Sequence, residues 1–303
     1  MIQSVTVTNH LGESLTMELR SPEKSGFFIR GIDGLGPSKA TVNITEILAA
    51  DGGFFNSSRV GTRNIVMDIG FMDGGFDSIE TIRQKTYKFF PPKKELTIEV
   101  VTDNRIGVTT GYVETNEPNI FSKMQTSMIS IICPRSFFYG KEIIQTTFSG
   151  IDSAFSFPWE NPSLTLSLIE FGQVYIDTVR SVFYTGDEST GVTIYVSFLG
   201  AVNDLSIHNA TTGESMEISS DKLIELTGED FQYGDHLIIS TLRGNKYIHL
   251  IRDGLTVNIL NTLDVLSDWF RIDRGDNVFL YTADSGLANM QFVIEHRIVY
   301  GGL

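Results

Sequence analysis

The stretch DGGFFNSSRVGTRNIVM, residues 51–67, sets two adjacent glycines and a polar run ahead of two arginines, Arg59 and Arg63, and an apolar segment. Guanidinium groups grip carboxylates, phosphates and carbonyls through several directed hydrogen bonds. The stretch therefore reads either as an anion-binding loop that serves a catalytic site, or as a turn entering a strand whose arginines bond to the adjacent loop or a neighbouring chain. GIDGLG, residues 31–36, has the glycines of a dinucleotide loop but the wrong spacing, and no helix follows it, so it reads as a turn. Cys133 closes the apolar run MISIIC with no histidine near it in sequence, the setting of a small buried hydrophobe rather than a nucleophile.

The five histidines, at 10, 208, 236, 249 and 296, are scattered. His236 and His249 could face each other across a hairpin, but two histidines without further ligands do not make a metal site. Glycoside hydrolysis needs a carboxylate pair, for which Glu170 with Asp177, or Glu229 with Asp230, can be nominated. Residues 137–303 hold 22 acids, however, and such pairs arise there by chance. Phosphate-loop, zinc-helix and nucleophile-elbow motifs are absent from the sequence. No catalytic, cofactor or metal site is expected. For stacking on sugars, Trp159 in FPWENP reads as loop-borne and is the candidate glycan contact, with Tyr233 and Tyr247 as further aromatics. Trp269 stands among Leu263, Leu266 and Phe270 and reads as core.

The elements that must position these residues are mostly strands. At 303 residues the chain is long for one core, so two domains are expected. SVTVTN, LTMELR, RNIVMDIGFM and LTIEVV read as strands by alternation and β-branched content. FDSIETIRQKTYKFFPPKK reads as one helix, capped by Asp77 or Ser78 and stopped by Pro91 and Pro92. Its Arg83, Lys85 and Lys88 form a face that is solvated or pairs with nearby acids. The second half reads as short strands in the manner of a β-sandwich, with a hairpin turning near Arg243-Gly244-Asn245 and a helical turn within 261–269.

The formal net charge is −14 and is unevenly placed. Residues 1–136 carry 14 Lys and Arg against 15 Asp and Glu, whereas residues 137–303 carry 9 against 22. That balance argues against a nucleic-acid-binding surface. It makes the near-neutral first half the better candidate for packing against other chains. The N-terminus lacks a secretory signal pattern, and no apolar run of about 18 residues would cross a bilayer, so no membrane partner is expected. A single cysteine fits folding in a reducing cytoplasm.

In order, GIDGLGPSKATVN, DGGFFNSSRVGTRNIVM, TYKFFPPKKELTIEV, GYVETNEPNIFSKMQTSMISIICPRSFF, GDHLIISTLRGNKYIHLIRDG, LSDWFRIDRGDNVFLY and the closing segment near YGGL resemble the distal tail protein (Dit) family of siphophages infecting Gram-positive bacteria. The resemblance implies a mainly β fold: an N-terminal, ring-forming β domain with one α-helix over residues 1–136, and a C-terminal galectin-like β-sandwich over 137–303. It further implies a non-catalytic structural component of the tail tip or baseplate, made in the host cytoplasm. Six copies would form a ring between the tail tube protein and the tail-associated (Tal) protein, with DNA passing through the lumen and receptor-binding proteins anchored in many such phages. Arg59, Arg63 and Asn64 are then expected at the inter-subunit interface. The alternative is a carbohydrate-binding protein that recognises cell-wall glycans through the second domain, with Trp159 its contact.

Overall fold

The computed structural model describes residues 1–46, 51–73, 77–122, 124–152 and 173–303. In chain order the strands are β1 (Ile2–Thr8), β2 (Ser14–Glu18), β3 (Phe27–Asp33), β4 (Ala40–Glu46), β5 (Gly53–Val60) and β6 (Arg63–Phe71). The helix α1 (Ile79–Phe89) precedes β7 (Glu95–Thr102), β8 (Ile106–Asn119), β9 (Thr126–Cys133) and β10 (Phe138–Gly140). There follow β11 (Ile144–Thr147), β12 (Ser149–Asp152), β13 (Gln173–Ile176), β14 (Val179–Tyr184), β15 (Thr193–Phe198), β16 (Asn203–Asn209) and β17 (Glu214–Ile218). A second helix, α2 (Ser220–Thr227), leads to β18 (His236–Leu242), β19 (Asn245–Arg252), β20 (Leu255–Asn258), β21 (Gly275–Ser285), β22 (Met290–His296) and β23 (Val299–Tyr300).

The chain divides into two units, Met1–Glu142 with Val299–Leu303, and Ile143–Ile298. The shift in charge balance suggests a boundary at 136/137, but β10 still pairs with β8 and so belongs with the first unit. The last five residues return there too, because β23 pairs with β10. A contiguous two-domain reading of the sequence cannot show such a return.

The main sheet of the first unit is antiparallel, in the order β2-β1-β7-β8-β9-β6-β3, with β10 on β8 and β23 on β10. The period-two alternation seen in the sequence sends Val5, Val7, Ile98, Val100, Ile129 and Ile131 to one face, where all are essentially fully buried. The opposite face is rich in hydroxyls: Thr6 meets Thr16 at 2.9 Å and Thr8 meets Ser14 at 2.8 Å. Ser78 caps α1 by accepting from the Thr81 amide, and Ile82 and Thr86 are its buried residues. At the other end the Asn116 side chain donates to the carbonyls of Thr86 and Phe90, while its oxygen accepts from Ser127. The helix end is thus satisfied from the sheet. Lys85 and Lys88 pair with Asp77 and Glu13, so the basic helix face is neutralised locally.

The second unit is a β-sandwich. A six-stranded sheet, β11-β22-β15-β18-β19-β20, and a four-stranded sheet, β14-β21-β16-β17, contribute to one apolar core. Tyr281 stacks on Phe292 with ring centres 3.9 Å apart, and Phe198 stacks on Phe231 at 4.3 Å. The hairpin turn near Arg243-Gly244 is present, with Gly244 at positive φ. The helical turn in the later loop is the short 3-10 segment Leu260–Thr262. The α2 helix has the standard signals in the sequence, Ser219 before it and Gly228 at positive φ after it, but its eight residues carry too little periodicity to separate it from a loop.

His296, 3% exposed, packs edge-on against Tyr184 at 5.6 Å, and neither ring nitrogen has a hydrogen-bond partner among the described residues. Burial pulls its pKa below the ordinary 6.5. The folded state therefore resists the proton that the unfolded chain accepts. Stability is therefore unaffected by this group above about pH 6.5 and falls as pH drops below it, by at most about 1.4 kcal/mol per pH unit. We predict that His296→Leu flattens the pH dependence of denaturation midpoints between pH 7 and pH 5. A dependence unchanged by the substitution would contradict this assignment.

Candidate assembly site

The stretch 51–67 comprises the return strand of a projecting hairpin, its root, and the start of β6. Among the described residues β4 and β5 pair only with each other, and every residue of both is exposed. The register places Ala40 opposite Val60, Val42 opposite Ser58 and Ile44 opposite Phe55, with an irregularity at Asn43/Ile44. Because opposed residues share a face, Val60, Val42, Ile44 and Phe55 form one apolar side of this arm. Their exposures run from 40% for Val60 to 65% for Phe55. The other side is mainly polar, with Thr41 opposite Arg59 and Asn43 donating to Ser57 at 2.9 Å, but it also carries Phe54, opposite Thr45 and 68% exposed. An isolated two-stranded hairpin is marginal in water, and one with an apolar side wants a covering surface.

The arm is fastened at its root by Arg63. This side chain is 2% exposed and directs its guanidinium to four backbone carbonyls. Nε donates to Ser136 at 2.9 Å, one terminal nitrogen to Gly34 and, at 2.6 Å, to Gly36, and the other to Gly301 at 2.8 Å. The cation also lies 4.3 Å from the centre of the Phe138 ring. Burial lowers its pKa from the ordinary arginine value. Arginine nevertheless stays charged, so the carbonyl dipoles take the place of a carboxylate. Gly34 must be glycine: its φ is +86°, and a Cβ there would stand 2.0 Å from the Asn64 carbonyl oxygen. Ser136 completes the latch, with its hydroxyl on the Gly61 carbonyl at 2.5 Å and its carbonyl accepting from Ser38 at 2.9 Å. Leu303 closes the assembly through its amide on the Leu35 carbonyl.

Arg59, Arg63 and Asn64, adjacent in the sequence, therefore occupy three environments. Arg59 stands exposed on the arm, and Arg63 is spent inside its own unit, on the adjacent loop and the returning C-terminal segment. Asn64 lies on the open face of the sheet, accepting from Ser130, whose hydroxyl also contacts Glu114 at 2.8 Å. Sequence reasoning missed Ser136, and it missed Arg105, which donates to the Gly302 carbonyl at 3.0 Å and lies over the Tyr300 ring. Nothing local to Ser136 or Arg105 marks them, since their partners lie in remote segments.

The remaining sequence candidates do not converge on a site. His236 opposes Ile251 and His249 opposes Ile238, so the two histidines are not a facing pair. Among the described residues no group of three or more His, Cys, Asp or Glu could hold a metal ion. Cys133 is buried, its thiol pushed up by desolvation. Asp177 pairs with Arg180 at 2.8 Å, and Asp230 accepts from Asn203 at 2.6 Å. Glu170 and Trp159 lie outside the described residues. Trp269 is packed against the core beneath Lys246, as its apolar neighbours suggest.

Residues 185–297 match the sequence profile of the siphovirus-type tail component, C-terminal domain. Among solved structures the whole chain has the fold of the Dit protein of phage SPP1, described as a paradigm of the hub adsorption apparatus in Gram-positive-infecting phages. The TM-score is 0.65 at 12% identity, over 97% of this chain and 99% of that one. It also resembles chains of the phage P2 baseplate in its activated conformation. With calcium the TM-score is 0.51 at 11% identity, covering 98% of each chain; with strontium it is 0.50 at 12% identity, covering 97% of each. No curated protein sequence matches.

Removing the Arg63 cation would strand four carbonyls in a buried setting. We predict that Arg63→Ala lowers the stability of the first unit by on the order of 3 kcal/mol or more, and that Arg63→Lys restores only a part, because an ammonium cannot span the four acceptors. Arg59→Ala should change stability by no more than about 0.5 kcal/mol. Urea denaturation of the three variants tests this ordering.

Proposed function

We propose that this chain is a distal tail protein, a structural, non-catalytic ring subunit of a phage tail tip; the profile match over residues 185–297 and the shared fold support the reading. The observation that carries the reading is the arm: an exposed hairpin with an apolar side, on a rigid root, in the near-neutral part of the chain. Such an element makes sense only when another surface covers it. Six copies would associate through the first unit, with the lumen as the path for DNA. The acidic second unit, a β-sandwich of the galectin-like kind, would stay solvated around the ring, where its net charge keeps it from the DNA. The ring would stack between the tail tube protein and the tail-associated protein, with receptor-binding proteins on its periphery. The polar, hydroxyl-rich face of the main sheet supports the reading, since among the described residues Lys24, Arg30 and Lys141 are paired there with Glu18, Asp68 and Glu99 rather than free to hold a passing phosphate backbone.

Size exclusion with light scattering, followed by negative-stain imaging, tests the proposal. The expected result is a particle of six times the 33.7 kDa chain, with a central hole. A monomer at every concentration up to the solubility limit, and no ring when the other tail-tip proteins are added, would overturn it.

A further inference from the structure

A second apolar surface lies on the first unit, at the end of β6 away from the arm's root. The turn between β8 and β9 exposes Ile120, Phe121 and Met124, and Met128 follows on β9; Phe121 is 95% exposed and Met124 58%. The position of this turn along β6 is fixed by backbone pairing. Gly70 opposes Thr126, and the Phe71 amide bonds the Gln125 carbonyl, so the turn sits at the C-terminal end of β6. The arm is rooted at the opposite end, where Val60 and Gly61 lead into Arg63. Nine residues of strand separate the two ends, about 30 Å at about 3.4 Å per residue.

We infer that the apolar side of the arm seats on the Ile120–Phe121–Met124 surface of an adjacent copy of this chain, an inference that rests on the ring reading above. Two observations select a second copy as the occupant. The two surfaces are alike in character and lie at opposite ends of β6. A contact between different patches of identical chains is head-to-tail, and it repeats around a ring when the rotation closes. Arg59 stands on the arm's other side, opposite Thr41, so the contact is apolar rather than charge-paired. The area also fits a shared role. One side of a two-stranded arm about 27 Å long and about 10 Å wide offers roughly 270 Å². A stable interface needs about 800 Å² per partner, so the arm adds to a broader contact between first units rather than making it alone.

Two full-length variants, Phe55→Cys and Phe121→Cys, test the contact when mixed and treated with a short bismaleimide; the native Cys133 is buried. The expected result is a cross-linked dimer in the mixture and in neither variant alone. Phe55→Asp, a change on an exposed arm residue, should leave thermal unfolding unchanged while weakening assembly at least tenfold. Cross-linking of Phe55→Cys with itself would overturn the inference by showing that arms meet arms. Assembly that persists without any cross-link in the mixture would overturn the docking site and leave the ring intact. Absence of both assembly and cross-link would overturn the docking site together with the ring reading.

Discussion

A buried guanidinium satisfied by carbonyls, rather than by a carboxylate, is the constraint around which the first unit is organised. A charge placed away from water is tolerated only when its donors are met in fixed geometry. Arg63 meets that condition by gathering the 34–36 loop, Ser136 and the returning C-terminal segment around the start of β6. The carbonyls come from distant parts of the chain, so the bond set can form only when those parts are all in place. The consequences spread outward. Gly34 must be glycine to approach the Asn64 carbonyl, the ends of the arm are brought together through Ser38, Gly61 and Ser136, and the chain end is tied to the first unit through Leu35 and Arg105.

That constraint divides labour between two kinds of surface. The core faces of both units are filled by interlocked β-branched and aromatic side chains, and contribute to stability in the usual way. The arm contributes nothing to its own unit's core. It is instead a short two-stranded sheet with every residue exposed, and such a sheet is marginal until another surface covers it. A near-neutral first unit and a strongly acidic second unit suit that division, because association is opposed least where the net charge is smallest.

Much of the fold was legible in the sequence. The alternation of SVTVTN, RNIVMDIGFM and LTIEVV matches β1, β6 and β7, and the Ser78 cap and Pro91 bracket α1. The candidate site was less legible for a physical reason. Val42 and Ile44 alternate with polar residues in the same way whether their side faces an internal core or a neighbouring chain, so the pattern announces a strand but not what covers it. Arg59 and Arg63, four residues apart, look equivalent until the remote carbonyls that bury one of them are known. The return of Val299–Leu303 was invisible for the same reason, since pairing with β10 depends on a contact across most of the chain.

An assembly arm on a preformed root should differ from that root in its hydrogen exchange. Hydrogen exchange of residues 40–60 and 61–71, compared between assembled wild-type protein and Phe55→Asp protein, tests it most directly. Amides of β4 and β5 are expected to exchange quickly in the variant and to be strongly slowed in the assembly, while those of β6 are equally protected in both. Arm amides that exchange at the same rate in both proteins, or a root that becomes protected only on assembly, would contradict it.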